Sequence, residues 1–579
     1  RQGETDEALH LYRERLDGST LNPRAPEQLQ LITGYARLLA EQPGGAEEAF
    51  NRLNSACQTL DAEVSDVLLD ERRAEMIANV IEVHDALIEI LTGPAPPVLQ
   101  GRGNARVLAF DLHESAKSRT TLSTLADSPM QPPAYVPKGL SDEETKLLEA
   151  ERSYQRDTEV RSEEYRERRL REIRAGLKDC WNRMRQIAPD YVRFRSGEPC
   201  TFDEVRAALA AITGVRAAFV SFFCGKSNTA VFVVRSDAYE PFVFQTPLGW
   251  QAWNDIGRRI RRVFNGAPAE FPPYPHILRD RPFQRSLDFF DQAASSLLKF
   301  LPAVEGCELL CMALHGPLHV IPIHAMRTSS GDYLARRFAI VYNPSLSIAA
   351  QFLSRSESGD ARPSVFVAGT SAAEDTHPEY FEAEAAIFDP SQWRITAAVG
   401  ASACSRRAVL DALPHQDVIH LSCHGFFNEL NALDSGLLLS DGSKKPPRNP
   451  QSLSVMERQN FLISVRDLLR VRLNARLVTL NACSSGLQGQ RNAGDELDGF
   501  SRALLLAGAS CVMLGLWNVD QQSSGEFMRR FYRHWAADGR PSQKWRAIHS
   551  IQLEFMNSPE PFLRHPYHWA PFAISGDWR

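Results

Sequence analysis

Across its 579 residues the chain is 43% apolar and 23% charged, with a formal net charge of −6; this is a soluble globular composition too long for one core, so two to four domains are expected. The mild acidity argues against a nucleic-acid partner held by phosphate contacts, and without a run of about 18 apolar residues no membrane span or membrane partner is predicted. The 10 cysteines are scattered without dense spacing, which reads as free thiols in a reducing, cytoplasmic setting and not as a disulfide scaffold.

The opening stretch, "RQGETDEALHLYRERL", has no initiator Met and is already in helical register. A truncated N-terminus is expected, with upstream repeats or signals missing. Residues 1–92 read as helices. "DEALHLYRERL" and "GGAEEAFNRLNSACQTL" share an acidic step followed by an Ala-aromatic helix face, and Ala8 and Ala49 stand 41 residues apart. That spacing exceeds the roughly 34 residues of a tetratricopeptide repeat, so a degenerate repeat array is predicted, with a plain helical bundle as the alternative. Such arrays offer a concave peptide-binding face, the expected dock for an activating protein or complex. Residues 93–190 read as a spacer: Pro-rich passages at 93–104 and 128–139 bracket the helix "ESAKSRTTLSTLA", and a highly charged helical run, mostly solvated, fills 141–187.

From 191 onward, short strands and helices alternate. "TFDEVRAALAAI" is an amphipathic helix with Thr201 as its N-cap. "AAFVSFFCG", "TAVFVVRSD", "FAIVYNP" and "SVFVAGTS" read as strands, and "EAEAAIF" as a helix. The alternation predicts an α/β fold with a mostly parallel sheet. The remaining length suits two such units, placed at 191–360 and 361–579.

Several motifs fail on inspection. "FFCGKSN" ends like a phosphate loop but has Val220 where a glycine is required. "GRGNAR" lacks its last glycine and follows no strand. His315, His319 and His324 are read as packing or surface histidines, since no Cys or carboxylate completes a metal shell; no metal and no cofactor is expected. Cys307 and Cys311 are read as core thiols.

Two strand ends carry the chemistry: "DVIHLSCHGFF" (417–427) and "RLVTLNACSSG" (476–486). In an open parallel sheet, reactive groups collect beyond the carboxyl ends of strands. Side chains alternate, so His420, Ser422 and His424 share a face while Cys423 points the other way. By the same parity Asn481 and Cys483 fall together. A cysteine becomes a useful nucleophile when its thiolate is accessible and a base stands beside it, a role open to His424. The backbone N–H groups of Gly425 and Cys483 would form an oxyanion hole, Gly425 because it has no Cβ to hinder approach. Taken singly, a Cys on an apolar strand is most often a core thiol and a His-Gly is most often a turn. It is their pairing that points to catalysis.

"VIHLSCHGFF", "LVTLNACSSGL" and "GDELDGFSRALLLAGASCVMLGLWNV" closely resemble the CHAT family, caspase-like peptidase domains related to separases and caspases that often follow tetratricopeptide repeats. "GPLHVIPIHAM", "VYNPSLSIAAQF", "VFVAGT" and "HPYHWAPFAISGD" support the resemblance, which spans roughly 190 to 579. It implies a Cys/His dyad of Cys483 and His424, and a caspase-like fold in which 191–360 is a degenerate half supporting an active half at 361–579. It further implies a cysteine endopeptidase that cuts a specific protein partner, in bacterial relatives often during defence, for instance a gasdermin-like pore former or a CRISPR-linked factor. Relatives that cut after Lys or Arg tend to carry an Asp where this chain has Asn481. Asp495 and Glu496 are the other candidates for pocket charge, although both also suit the first turn of the helix that follows. The loop 439–454 is read as a solvated surface loop. The rival readings are a repeat scaffold with a structural caspase-like unit, or another thiol chemistry on the same dyad.

Overall fold

The computed structural model describes residues 2–17, 26–66, 70–94, 96–97, 99, 103–126, 135–156, 163–196, 198–265, 290–353, 362–375, 378–426, 434–447, 454–482, 500–517, 519–536 and 543–579. The chain opens with helices α1 (Gln2–Asp17), α2 (Pro26–Ala40), α3 (Ala46–Asp66) and α4 (Asp70–Thr92). Leu29, Tyr35, Phe50, Leu53, Leu87 and Leu91 are the buried faces of α2 to α4. Arg37 on α2 clamps Asp85 at 2.9 Å and Glu89 at 2.8 Å on α4.

Helix α5 (Ala105–Ala126) begins earlier than the predicted helix, and its first half is core. It carries His113, Glu114 and Lys117, all fully buried. Lys117 Nζ donates to the Ala313 carbonyl at 2.5 Å and to Ser221 Oγ at 3.2 Å, and the Glu114 carboxylate accepts from the N–H and the hydroxyl of Ser347, both at 2.9 Å. The charged run that follows forms two packed helices, α6 (Lys138–Arg156) and α7 (Glu163–Arg185), with α8 (Pro189–Ser196) beside them. Leu148, Ile173 and Leu177 make one contact, and buried Glu144 accepts from Trp181 Nε1 at 2.7 Å and Tyr191 OH at 2.5 Å. Sparse apolar positions there are thus supplemented by a satisfied buried carboxylate. Thr201 caps α9 (Phe202–Ala210), its N–H donating to Glu204 at 2.8 Å.

The strands are β1 (Ala217–Cys224), β2 (Thr229–Val234), β3 (Phe242–Thr246), β4 (Leu309–Ala313), β5 (Ala339–Asn343), β6 (Ser364–Gly369), β7 (Arg394–Val399), β8 (Val418–Ser422), β9 (His424–Phe426), β10 (Gly436–Leu438), β11 (Leu462–Ser464), β12 (Leu477–Asn481), β13 (Cys511–Gly515) and β14 (Phe572–Gly576). Among the described residues, eleven form one sheet in the order β3-β2-β1-β4-β5-β14-β13-β12-β8-β6-β7, and β11-β10-β9 form a small second sheet. β1, β4, β5 and β14 are mutually parallel, as are β13, β12, β8, β6 and β7. The two blocks meet antiparallel at β13 and β14. The large, mostly parallel sheet is the expected caspase-like architecture.

Strand alternation divides the core. Met513 and Ile574 face the aromatic rows of α16 (Gln521–Trp535) and α17 (Lys544–Met556), whereas Val512, Leu514, Val478 and Leu480 face the opposite layer with α15 (Phe500–Ala507). Between β5 and β14 in sequence lie the other helices used below, α10 (Trp250–Asn265) having come earlier: α11 (Leu346–Leu353), α12 (Glu379–Ala383), α13 (Arg406–Ala412) and α14 (Val455–Phe461). The failed phosphate-loop match has a structural explanation. A Cβ at Gly225 would lie 2.0 Å from Asp85 Oδ1, and that carboxylate accepts from the Lys226 N–H at 3.1 Å. The glycine therefore admits helix α4 to the β1–β2 turn.

Candidate functional site

β8 and β12 are adjacent and parallel, with Ser422 opposite Asn481 in register. His424 is separated from β8 by Cys423 alone and is the first residue of β9, where Gly425 stands opposite Leu437 of β10. The side chain of His424 is 14% exposed, and its Nε2 donates to Asp375 Oδ2 at 2.7 Å. Asp375 lies beyond the carboxyl end of β6, its side chain only 2% exposed, and it also accepts from the Ala372 N–H at 2.7 Å. Phe381 of α12 packs on the imidazole with ring centroids 5.2 Å apart. A neutral imidazole that donates from Nε2 carries its lone pair on Nδ1. The ring is thus held by a carboxylate on one nitrogen, with the other as proton acceptor.

Cys423 is buried in the apolar layer with Ile419 and Leu421, on the face opposite His420, as strand parity requires. Asn481 is the last residue of β12, and Cys483 comes two residues later in the chain. Cys483, Asp495 and Glu496 lie outside the described residues, so His424, Gly425 and Asn481 are the predicted site positions whose surroundings are defined.

Beneath the rim runs a buried polar chain. Glu384 receives a hydrogen bond from His420 Nε2 at 2.5 Å and another from Asn481 Nδ2 at 2.5 Å. Tyr532 OH donates to Thr479 Oγ1 at 2.8 Å and lies 3.3 Å from His420 Nδ1. Burial pushes the Tyr532 phenol up, so it stays protonated as a donor. Among the described residues, buried Asn481 Oδ1 has no hydrogen-bond partner. Sequence reasoning missed Asp375 and Glu384. Asp375 obeys the strand-end rule that singled out His424, so the signal was present in "GTSAAED"; Glu384 sits in a helix whose pattern does not reveal an inward carboxylate.

The loop 441–447 is in part a clamp. Lys445 Nζ donates to Ser371 Oγ at 2.7 Å and the Pro446 carbonyl accepts from the Ala373 N–H at 2.9 Å, bracing the segment that ends in Asp375. Asp441 to Lys444 are exposed, and 448–453 lie outside the described residues. Elsewhere the predicted core groups are engaged in packing. His315 Nδ1 accepts from the Cys224 N–H at 3.1 Å, and His324 sits between Tyr342 OH at 2.8 Å and the Ala570 carbonyl at 3.0 Å. Burial pushes the Cys311 thiol up to about 12. Among the described residues no cluster of three or more His, Cys, Asp or Glu could hold a metal, and no helix is long and apolar enough to cross a membrane.

The CHAT domain profile matches residues 292–577. The chain is 26% identical over 305 residues to Tetratricopeptide repeat protein 28 of Homo sapiens, a match that covers 46% of this chain and 12% of that protein. The chain thus spans about an eighth of the curated relative's length. Among solved structures it resembles the Saccharomyces cerevisiae separase–securin complex, at 10% identity and a TM-score of 0.43 over 99% of this chain and 48% of the other. It also resembles the complex of Porphyromonas gingivalis RgpB pro- and mature domains, at 10% identity and a TM-score of 0.32 over 57% and 76%. The fold itself is defined by the strand order and the profile match. Behind helices α1 to α9, strands β1 to β3 open the mostly parallel sheet of a caspase-like α/β fold, and residues 292–577, which supply its other strands, are its CHAT domain.

Proposed function

We propose that the protein is a cysteine endopeptidase in which Cys483 is the nucleophile and His424 its base and acid. The observation that carries this reading is the His424–Asp375 contact at 2.7 Å at the end of the strand beside β12. A carboxylate that orients an imidazole at a strand-end rim is the arrangement nucleophilic catalysis requires. His424 takes the thiol proton and the Cys483 thiolate attacks a peptide carbonyl, with the Gly425 and Cys483 N–H groups facing the oxyanion. The imidazolium then gives its proton to the leaving amine, and water, deprotonated by His424, hydrolyses the acyl-enzyme. The substrate is a specific protein partner. The helical region receives the activating protein, and the setting is cytoplasmic, in defence or programmed cell death. Of the rival readings, a scaffold is favoured by the repeat-protein name of the human relative.

The test compares new protein N-termini in cells expressing the chain with those in cells expressing Cys483→Ala. Termini that vanish in the variant are expected. Identical patterns, together with a Cys483 that no thiol-directed electrophile labels, would leave the scaffold.

A further inference from the structure

His424 is oriented by Asp375, so whatever holds Asp375 sets the imidazole. The carboxylate lies in a segment past β6 that has no helix or strand of its own. Its entry is fixed by the Thr370 N–H, which donates to the Ser422 carbonyl on β8 at 3.1 Å. Beyond that point two contacts cross to the loop between β10 and α14. Lys445 Nζ donates to Ser371 Oγ at 2.7 Å, and the Ala373 N–H donates to the Pro446 carbonyl at 2.9 Å. Ser371 is 1% exposed, and among the described residues Lys445 has no carboxylate partner. A hydrogen bond from an ammonium is stronger than one between neutral groups, and here no anion competes with the hydroxyl for it. The loop can brace because it is itself rigid. Asp441 Oδ1 accepts from the N–H groups of Ser443 at 2.8 Å and Lys444 at 2.7 Å, which closes the turn. Pro446 fixes its own φ and confines Lys445 to extended backbone.

We propose that Lys445 is a positioning residue for the peptidase: through Ser371 its ammonium holds the 371–375 segment where the Asp375 carboxylate meets His424 Nε2. This rests on the peptidase reading above. Lys445 has no part in the chemistry itself, and its influence runs through the Ser371 hydroxyl, the Asp375 carboxylate and the imidazole in turn. With the carboxylate in place the imidazolium is favoured, and an imidazolium favours the Cys483 thiolate beside it. A segment that drifts loses both effects. The same loop exposes Asp441 to Lys444 at the surface, so a buried catalytic contact is governed from outside the cleft.

The experiment uses the full chain and follows alkylation of Cys483 by chloroacetamide against pH, read by mass spectrometry. Wild type should alkylate as a thiol depressed well below about 8.5, the value of a free cysteine. Lys445→Met removes the donor at nearly equal length. Its profile should move toward the free thiol by about one pH unit, so the rate at about pH 6.5 falls roughly 10-fold and the two chains converge above about pH 9. A merely structural loss would slow alkylation or expose the thiol without tracking pH in this way. Ser371→Ala, a smaller change, removes the acceptor and should give the same shift. The double variant should be no slower than either single one, because both cut the same link. A Lys445→Met profile superimposable on wild type, or losses that add in the double variant, would overturn the proposal and leave the peptidase reading standing. A wild-type Cys483 that titrates as a free thiol would also overturn it, and if Cys483-dependent termini are absent as well, the peptidase reading falls with it.

Discussion

Asp375 illustrates how a single carboxylate decides which imidazole nitrogen works. It accepts from His424 Nε2 and is itself pinned by the Ala372 N–H, so the proton is kept on the far nitrogen and the near one remains basic. In Asp375→Asn the new amide can donate to Nε2, and the imidazole proton then moves to the wrong side. On the proposed chemistry kcat/KM should fall by roughly 100-fold, chiefly in kcat, with melting little changed. Rates against any peptide found from the new termini would measure this, and an unchanged kcat would remove Asp375 from the mechanism. At this scale much was legible in the sequence. His424 and the inward turn of Cys423 follow from strand ends and parity, which are local properties. Asp375 carried the same strand-end signal but lies six residues past β6 in a loop with no periodicity to fix its direction, and Glu384 was not legible because a helix shows its pattern without showing which neighbour fills the gap.

At the scale of elements, α5 departs most from its reading as part of a spacer. Charged residues are normally solvated, so "ESAKSRTTLSTLA" reads as a surface helix. Here His113, Glu114 and Lys117 are inserted into the sheet, with Ser221 shared among them. Glu114 also holds the first turn of α11, which leads toward β6 and the Asp375 loop. Each charge is satisfied by carbonyls, hydroxyls or N–H groups, and this is the condition under which buried ions are tolerated. Lys117→Met keeps the stem and removes the ammonium, leaving the Ala313 carbonyl and the Ser221 hydroxyl short of a donor. A loss of about 3 kcal/mol is expected, read from chemical denaturation. A loss below about 1 kcal/mol would show that packing alone seats α5.

Across the whole molecule, the alternation of strands and helices was enough to predict a mostly parallel sheet. It gave no hint that β14 enters between β5 and β13, since Tyr342 and Ser575, partners in register, share no local signal. Buried imidazoles also act together at this scale. Burial holds His315 at about 3, His324 at about 4 and His568 at about 3, all below the unfolded value near 6.5. The unfolded chain therefore binds more protons than the folded one in that interval, and stability falls as pH drops below about 6.5. Asp111, pushed up to about 6 by burial, acts in the opposite sense, as do Asp85 and Asp520. Among the described residues, however, burial also lowers His113, His319, His549 and His565, so the imidazoles outnumber the carboxyls seven to three. The Tm should fall by roughly 5 °C between pH 7 and pH 5, and a flat calorimetric profile would contradict this balance.

The position of β14 has a consequence for biosynthesis. The strand that joins the two parallel blocks is the last to leave the ribosome, after every other strand of the sheet. Until it arrives, β13 and β5 keep open edges, and the blocks have no common ladder. Translation order would thus keep the nascent chain from assembling its full sheet early. A chain stalled before residue 572 would present two unpaired strands as targets for chaperones and degradation.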